Sequence, residues 1–187
     1  MRTRKITDFL VLILASMIMV HSFVRAEENV MKDADKETLE WHKRFAVGCN
    51  NRVWSLLAKE TRSDEESEEM VHAAHASYYH WSKIGEPVNF QRGEWLISHV
   101  YAVLERSEQA LHHAVKCLTL TEAHKFMDFD LAYAYEAMAR AYAAAHSTTE
   151  AKKYLDLARK AGESIKREED RKIFFSDLEK GPWFGIE

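Results

Sequence analysis

Leu131-Ala-Tyr-Ala-Tyr-Glu-Ala-Met-Ala-Arg-Ala-Tyr-Ala-Ala-Ala145 is the stretch on which the fold turns. Alanine is the strongest helix former, and no Gly, Pro or β-branched residue interrupts the run. Tyr135, Met138 and Tyr142 recur at three- and four-residue steps and so share one helical face. The alanines between them let a second helix backbone come close. Sliding the chain over itself by 41 residues puts Ile97-Ser98 on Met138-Ala139, Tyr101-Ala102 on Tyr142-Ala143 and Ala110 on Ala151. The helix therefore belongs to a module written twice, and a module of this kind buries its apolar face only against a neighbour.

The second copy, through Tyr135, Met138, Ala139, Tyr142, Ala151, Leu155 and Ala158, keeps the alternation of large and small residues found in a tetratricopeptide repeat. The small residue lets the first helix of a hairpin touch the second, and the aromatic fills the space beside it. In the first copy Ile97, Ser98, Tyr101, Ala110, Ala114 and Cys117 hold the same slots, with Glu94 where the leading aromatic would stand. The period of 41 exceeds the usual length of about 34, and the surplus falls between about Thr121 and Asp130. The expected fold is all-α, with stacked hairpins over about 91–120 and 132–161. A divergent hairpin over 36–84 places Cys49, Asn50 and Val53 in first-helix slots, and a last helix over Glu168–Lys180 acts as a cap.

The stretch His75-Ala-Ser-Tyr-Tyr-His-Trp-Ser-Lys-Ile-Gly-Glu-Pro-Val-Asn89, with Arg92-Gly-Glu-Trp-Leu-Ile-Ser-His-Val-Tyr-Ala-Val-Leu104, Ala110-Leu-His-His-Ala114, Asp128-Phe-Asp-Leu-Ala132 and Glu169-Asp-Arg171, resembles a group of uncharacterised bacterial tetratricopeptide (TPR)-like proteins. The resemblance runs from about Phe45 to Leu178. It implies the stacked-hairpin fold and carries over no activity.

Composition agrees with long helices. Only 6 Gly and 2 Pro occur in 187 residues, too few for a many-turned β architecture, and 47% hydrophobic with 30% charged residues is ordinary for a folded chain. Ser63 followed by Glu66 predicts a capping box opening a helix near Asp64, and Ser147 with Glu150 repeats the spacing. Gly85-Glu86-Pro87 is expected to stop that helix, with the next one beginning near Gln91. Asp128 and Asp130 read as N-terminal caps.

At the N-terminus, basic Arg2, Arg4 and Lys5 precede the apolar run Phe9 to Val20, and small residues lead to Ala26. That order is a secretory signal peptide, 1–26, cleaved between Ala26 and Glu27. The apolar run spans only about 18 Å as a helix against a hydrocarbon core of about 30 Å, so no stable membrane span is expected. The chain is read as exported, to a periplasm or medium; a start at Met31 would instead make it cytoplasmic. The net charge of −4 includes +3 on residues 1–26, leaving −7 on the rest. An acidic body disfavours nucleic acid as a partner.

In stacked hairpins the first helix of each pair faces a groove, here through Arg92, Trp95 and His99 and then Tyr133, Glu136 and Arg140. Aromatic and arginine side chains are what binding hot spots use. These six residues are the expected peptide-binding groove, with Arg92 and Arg140 pairing with a guest carboxylate. The partner is expected to be a protein or peptide, or a second copy of the chain.

Glu69-Met-Val-His72 matches one Glu-x-x-His element of di-iron bundles, which need two such elements and two further Glu. Glu69, His72, His75 and His99 thus define the alternative, a helical metal-binding protein or metal-dependent hydrolase. No Gly-x-Ser-x-Gly turn or Gly-rich phosphate loop occurs, so a non-enzymatic protein without a cofactor is expected. Cys49 and Cys117 lack metal-site spacing and read as small core residues, with a disulfide between them left open.

Overall fold

The computed structural model describes residues 35–186. The expected signal segment 1–26, the expected Ala26–Glu27 cleavage point and Met31 lie outside the described residues. Contacts divide the chain into two units, Met1–Trp41 and His42–Glu187; of the first, only 35–41 are described, and they are helical.

The described residues contain helices and no strand: α1 over 35–57, then α2 (Asp64–Ile84), α3 (Pro87–Val103), α4 (Ser107–Ala123), α5 (Phe129–Ala144), α6 (Thr148–Glu163) and α7 (Glu168–Lys180). The all-α expectation is met. The capping box at α2 is present, with Ser63 Oγ accepting from the Glu66 N–H at 3.3 Å and Glu66 Oε2 accepting from the Ser63 N–H at 3.2 Å.

Three local expectations need correction. Helix α3 begins at Pro87 rather than near Gln91, because Pro needs no N–H donor at a first helical position and Asn89 Oδ1 accepts the Glu86 N–H at 2.8 Å. The three residues that stop α2 therefore also start α3. Ser147 precedes α6 but makes no side-chain cap bond; Glu150 turns to Lys153 instead, at 3.4 Å. Asp128 precedes α5 without capping it: its Oδ1 accepts the Lys166 N–H at 3.1 Å, while Asp130 engages Arg92.

Consecutive helices pack as hairpins, α3 on α4 and α5 on α6, while α3 touches α5 and α5 touches α7. Helices α3, α5 and α7 thus adjoin in chain order. Small residues set the spacing, as the sequence requires: Ala110, Ala114, Ala139 and Ala158 are fully buried and Ala151 nearly so. Ser98 also donates its hydroxyl to the Ala110 carbonyl at 2.9 Å, tying α3 to α4. One core cluster joins Val53 and Leu56 of α1 to Met70 and Val71 of α2 and Ile97 and Val100 of α3. A second joins Tyr133 and Ala139 of α5 to Leu155 and Ala158 of α6 and Phe174 and Leu178 of α7. Trp95 packs against both, and against the alanine-rich cluster of α4 and α5.

Both cysteines are free thiols, Cys117 buried and Cys49 partly so. After α7, Gly181 turns the chain with φ at 67°, a left-handed value that favours glycine. Trp183 then folds back and donates its indole N–H to the Leu178 carbonyl at 2.8 Å.

Gly162 lies where α6 meets α7, and a Cβ there would collide with the ring of Phe174, itself fully buried. Gly162→Val is expected to cost about 2 kcal/mol or more through overpacking. Urea unfolding should show it as a lower midpoint at unchanged slope.

Candidate functional site

Helices α1, α3, α5 and α7 share a face, and their side chains there are spaced by the same 41 residues as the repeat: Trp54, Trp95, Glu136 and Asp177. The first three rungs touch. The indoles of Trp54 and Trp95 stack at 5.9 Å between centroids, and the Trp95 indole N–H donates to Glu136 Oε2 at 2.8 Å. All four residues line a hollow of about 670 Å³, together with His99, Leu57 and Phe184. A smaller cavity of about 290 Å³ adjoins it, lined by Trp54, Trp95, Gln91, Phe129, Tyr133 and Asp177 among others.

Of the six expected groove residues, Trp95, His99 and Glu136 line the larger hollow and Arg92, Trp95 and Tyr133 the smaller cavity, while Arg140 lines neither. Trp95 and His99 are half-buried and stack at 5.2 Å. Tyr133 is buried, meets Trp95 edge-on at 5.2 Å and donates its hydroxyl to Asp177 Oδ2 at 2.8 Å. Burial first, and then that bond, pushes the phenol pKa well above its usual range.

Glu136 and Arg140 stand one helical turn apart, at 2% and 1% exposure, and their side chains are joined directly. Arg140 Nη1 also donates to the Pro182 carbonyl at 3.4 Å, and its guanidinium lies 4.5 Å from the centre of the Trp183 ring. The expectation that Arg140 meets a guest carboxylate is therefore corrected: it is a structural cation with its partners already in place. Arg92 is exposed but likewise occupied, forking onto both oxygens of Asp130 at 2.8 and 3.3 Å.

His99 is held neutral. Removal of its ring from water, and then the nearby Arg140 charge, push its pKa down to about 3. Its Nδ1 is buried with no hydrogen-bond partner among the described residues.

The alternative set is dispersed. Glu69 receives both Nε and Nη2 of Arg52, at 2.7 and 2.6 Å, which lowers its pKa. His75 Nε2 meets the Tyr101 hydroxyl at 3.0 Å, His72 is exposed, and His99 sits in the hollow. Among the described residues no three His, Cys, Asp or Glu side chains are grouped to hold a metal ion. No helix of the described residues is long and apolar enough to cross a membrane.

Trp54 and Asp177 escaped the sequence reading. Extending the 41-residue shift one period in each direction from Trp95 and Glu136 reaches both. A scan of protein-family models and searches of curated proteins and solved structures find no match to the chain.

Removing one member of a buried pair strands the other, at about 3–5 kcal/mol. Arg140→Ala should lose that much in urea unfolding, and Glu136→Leu/Arg140→Met should recover most of it.

His99 supplies a pH signature. Its folded-state pKa lies below the unfolded value of about 6.5, so the unfolded chain binds the proton more readily. Its contribution is intact above that value and is lost as pH falls toward 3. His99→Phe keeps the stack on Trp95 and removes the proton site. The decline of stability from about pH 6.5 to 4 should be shallower in this variant, by at most about 1.4 kcal/mol per pH unit.

Proposed function

We propose that this chain is a tetratricopeptide-like domain of stacked helical hairpins that binds a segment of another protein along the face of α1, α3, α5 and α7. The ladder of Trp54, Trp95, Glu136 and Asp177, its first three members in contact and all four lining one hollow, carries this reading. A solvated face would leave such side chains loose. Here Trp95 is fixed by Glu136 on one side and by the rings of His99 and Tyr133 on others, so its orientation is set before a guest arrives. Preorganisation of that kind lowers the entropy lost on binding.

Trp54 is 41% exposed and stacked on the rigid Trp95, which makes it an anchor offered outward. Interface energy concentrates in a few such aromatics. The small-residue packing between hairpins, with Ala110, Ala114, Ala151 and Ala158 buried, supports a repeat architecture whose modules hold each other in register. Binding, not catalysis, is the role such a surface fits.

A photo-crosslinking residue at position 54 should yield a protein adduct from native extract, and the same residue at Lys152 on α6 should not. Once the adduct is identified, Trp54→Ala is expected to weaken that partner by about 2 kcal/mol, roughly thirtyfold in Kd, without lowering stability. Equal adducts from positions 54 and 152 would sink the proposal.

A further inference from the structure

What the hollow has already satisfied within itself indicates the chemistry of its guest, a step that rests on the binding role proposed above. The cations in and around it are engaged. Arg140 is closed in by Glu136, the Pro182 carbonyl and the Trp183 ring, and Arg92 by Asp130. Around the rim, Arg62 Nη1 donates to the carbonyls of Leu56 and Lys59 at 3.1 Å each. Lys59 pairs with Glu66, and Lys180 donates to Asp177 at 3.0 Å.

The acceptors are not all engaged. Glu60 and Glu105 line the same hollow, are exposed, and their carboxylates have no ion-pair or hydrogen-bond partner among the described residues. His99, held neutral, can present its buried Nδ1 as an acceptor, and no described group donates to it. In the adjoining cavity Gln91 gives its amide N–H groups to Cys117 Sγ and to the Asp130 carbonyl, leaving a buried Oε1 without a donor. The half-open ring of Trp54 adds a π face, which attracts cations. A carboxylate entering here would find no uncommitted cation and several uncommitted acceptors.

We propose that the hollow receives an arginine side chain of the guest segment, its guanidinium lying on the Trp54 indole and facing Glu60, Glu105 and the bare Nδ1 of His99. Guanidinium fits better than ammonium because it is planar, stacks on aromatic rings and offers five donors in a fork. Acidic rim groups also raise the encounter rate with a basic segment, an effect that falls with salt.

The test is selection of a random dodecapeptide library on the full chain, in parallel on wild type, Trp54→Ala and Glu60→Lys/Glu105→Lys, all verified as folded by circular dichroism. Both glutamates and Trp54 are exposed, so these variants should fold. Arginine should be enriched on wild type, lost with Trp54→Ala and depleted with Glu60→Lys/Glu105→Lys. The synthesised consensus peptide should bind at least about tenfold more tightly than its Arg→Glu version, a margin that shrinks as salt is added. Trp54-dependent pools that are acidic, or indifferent to charge, overturn the arginine assignment while leaving peptide binding intact. Wild-type pools identical to those from Trp54→Ala overturn both.

Discussion

The structure depends on a buried ion pair. Glu136 and Arg140 are both almost wholly removed from water on α5, a placement that costs several kcal/mol per charge unless each is closed in by partners. Each is closed in. Glu136 takes the Arg140 guanidinium on one oxygen and the Trp95 indole N–H on the other. Arg140 reaches forward to the Pro182 carbonyl and the Trp183 ring. One pair on one helix thus couples α5 to α3 and to the segment after α7, and Trp95, held by it, contacts three core clusters at once. Apolar packing supplies most of the stability, and the pair adds directional bonds to it.

The same logic explains the slot where the repeat departs from its pattern. Glu94 stands where the later copy has Tyr135, and it is buried. It meets His113 Nδ1 on α4 at 2.6 Å, while His75 of α2 meets Tyr101 of α3 at 3.0 Å. A polar contact between α3 and α4 stands where α5 and α6 pair Tyr135 with Tyr154, so both members of the contact differ between the copies.

Helix content and the close-packed alanines were readable because both are local: propensity and period operate within a few turns of chain. Ala110 and Ala151 go inward as the repeat demands, and the Ser63 box forms because both of its members are close in sequence. Depth was not readable. Arg140 sits at the same register position as His99, and nothing in a first-helix slot distinguishes a charge facing solvent from one sealed beneath Trp183, some forty residues downstream. Asp128 and Ser147 had suitable types for caps, but tertiary demands drew Asp128 to Lys166 and the α6 turn left Ser147 unused. The outer rungs, Trp54 and Asp177, were encoded in the period itself.

The Trp54–Trp95 stack also gives the groove an optical property. Two indoles with centroids 5.9 Å apart and planes inclined by 28° are near enough for their electronic transitions to couple, and one of them is pinned by a carboxylate at its nitrogen. Light absorbed by one ring is therefore shared with the other and reports on the angle between them. Anything that wedges the pair apart alters emission and ellipticity together, so the spacing of these two rings can be followed without a label.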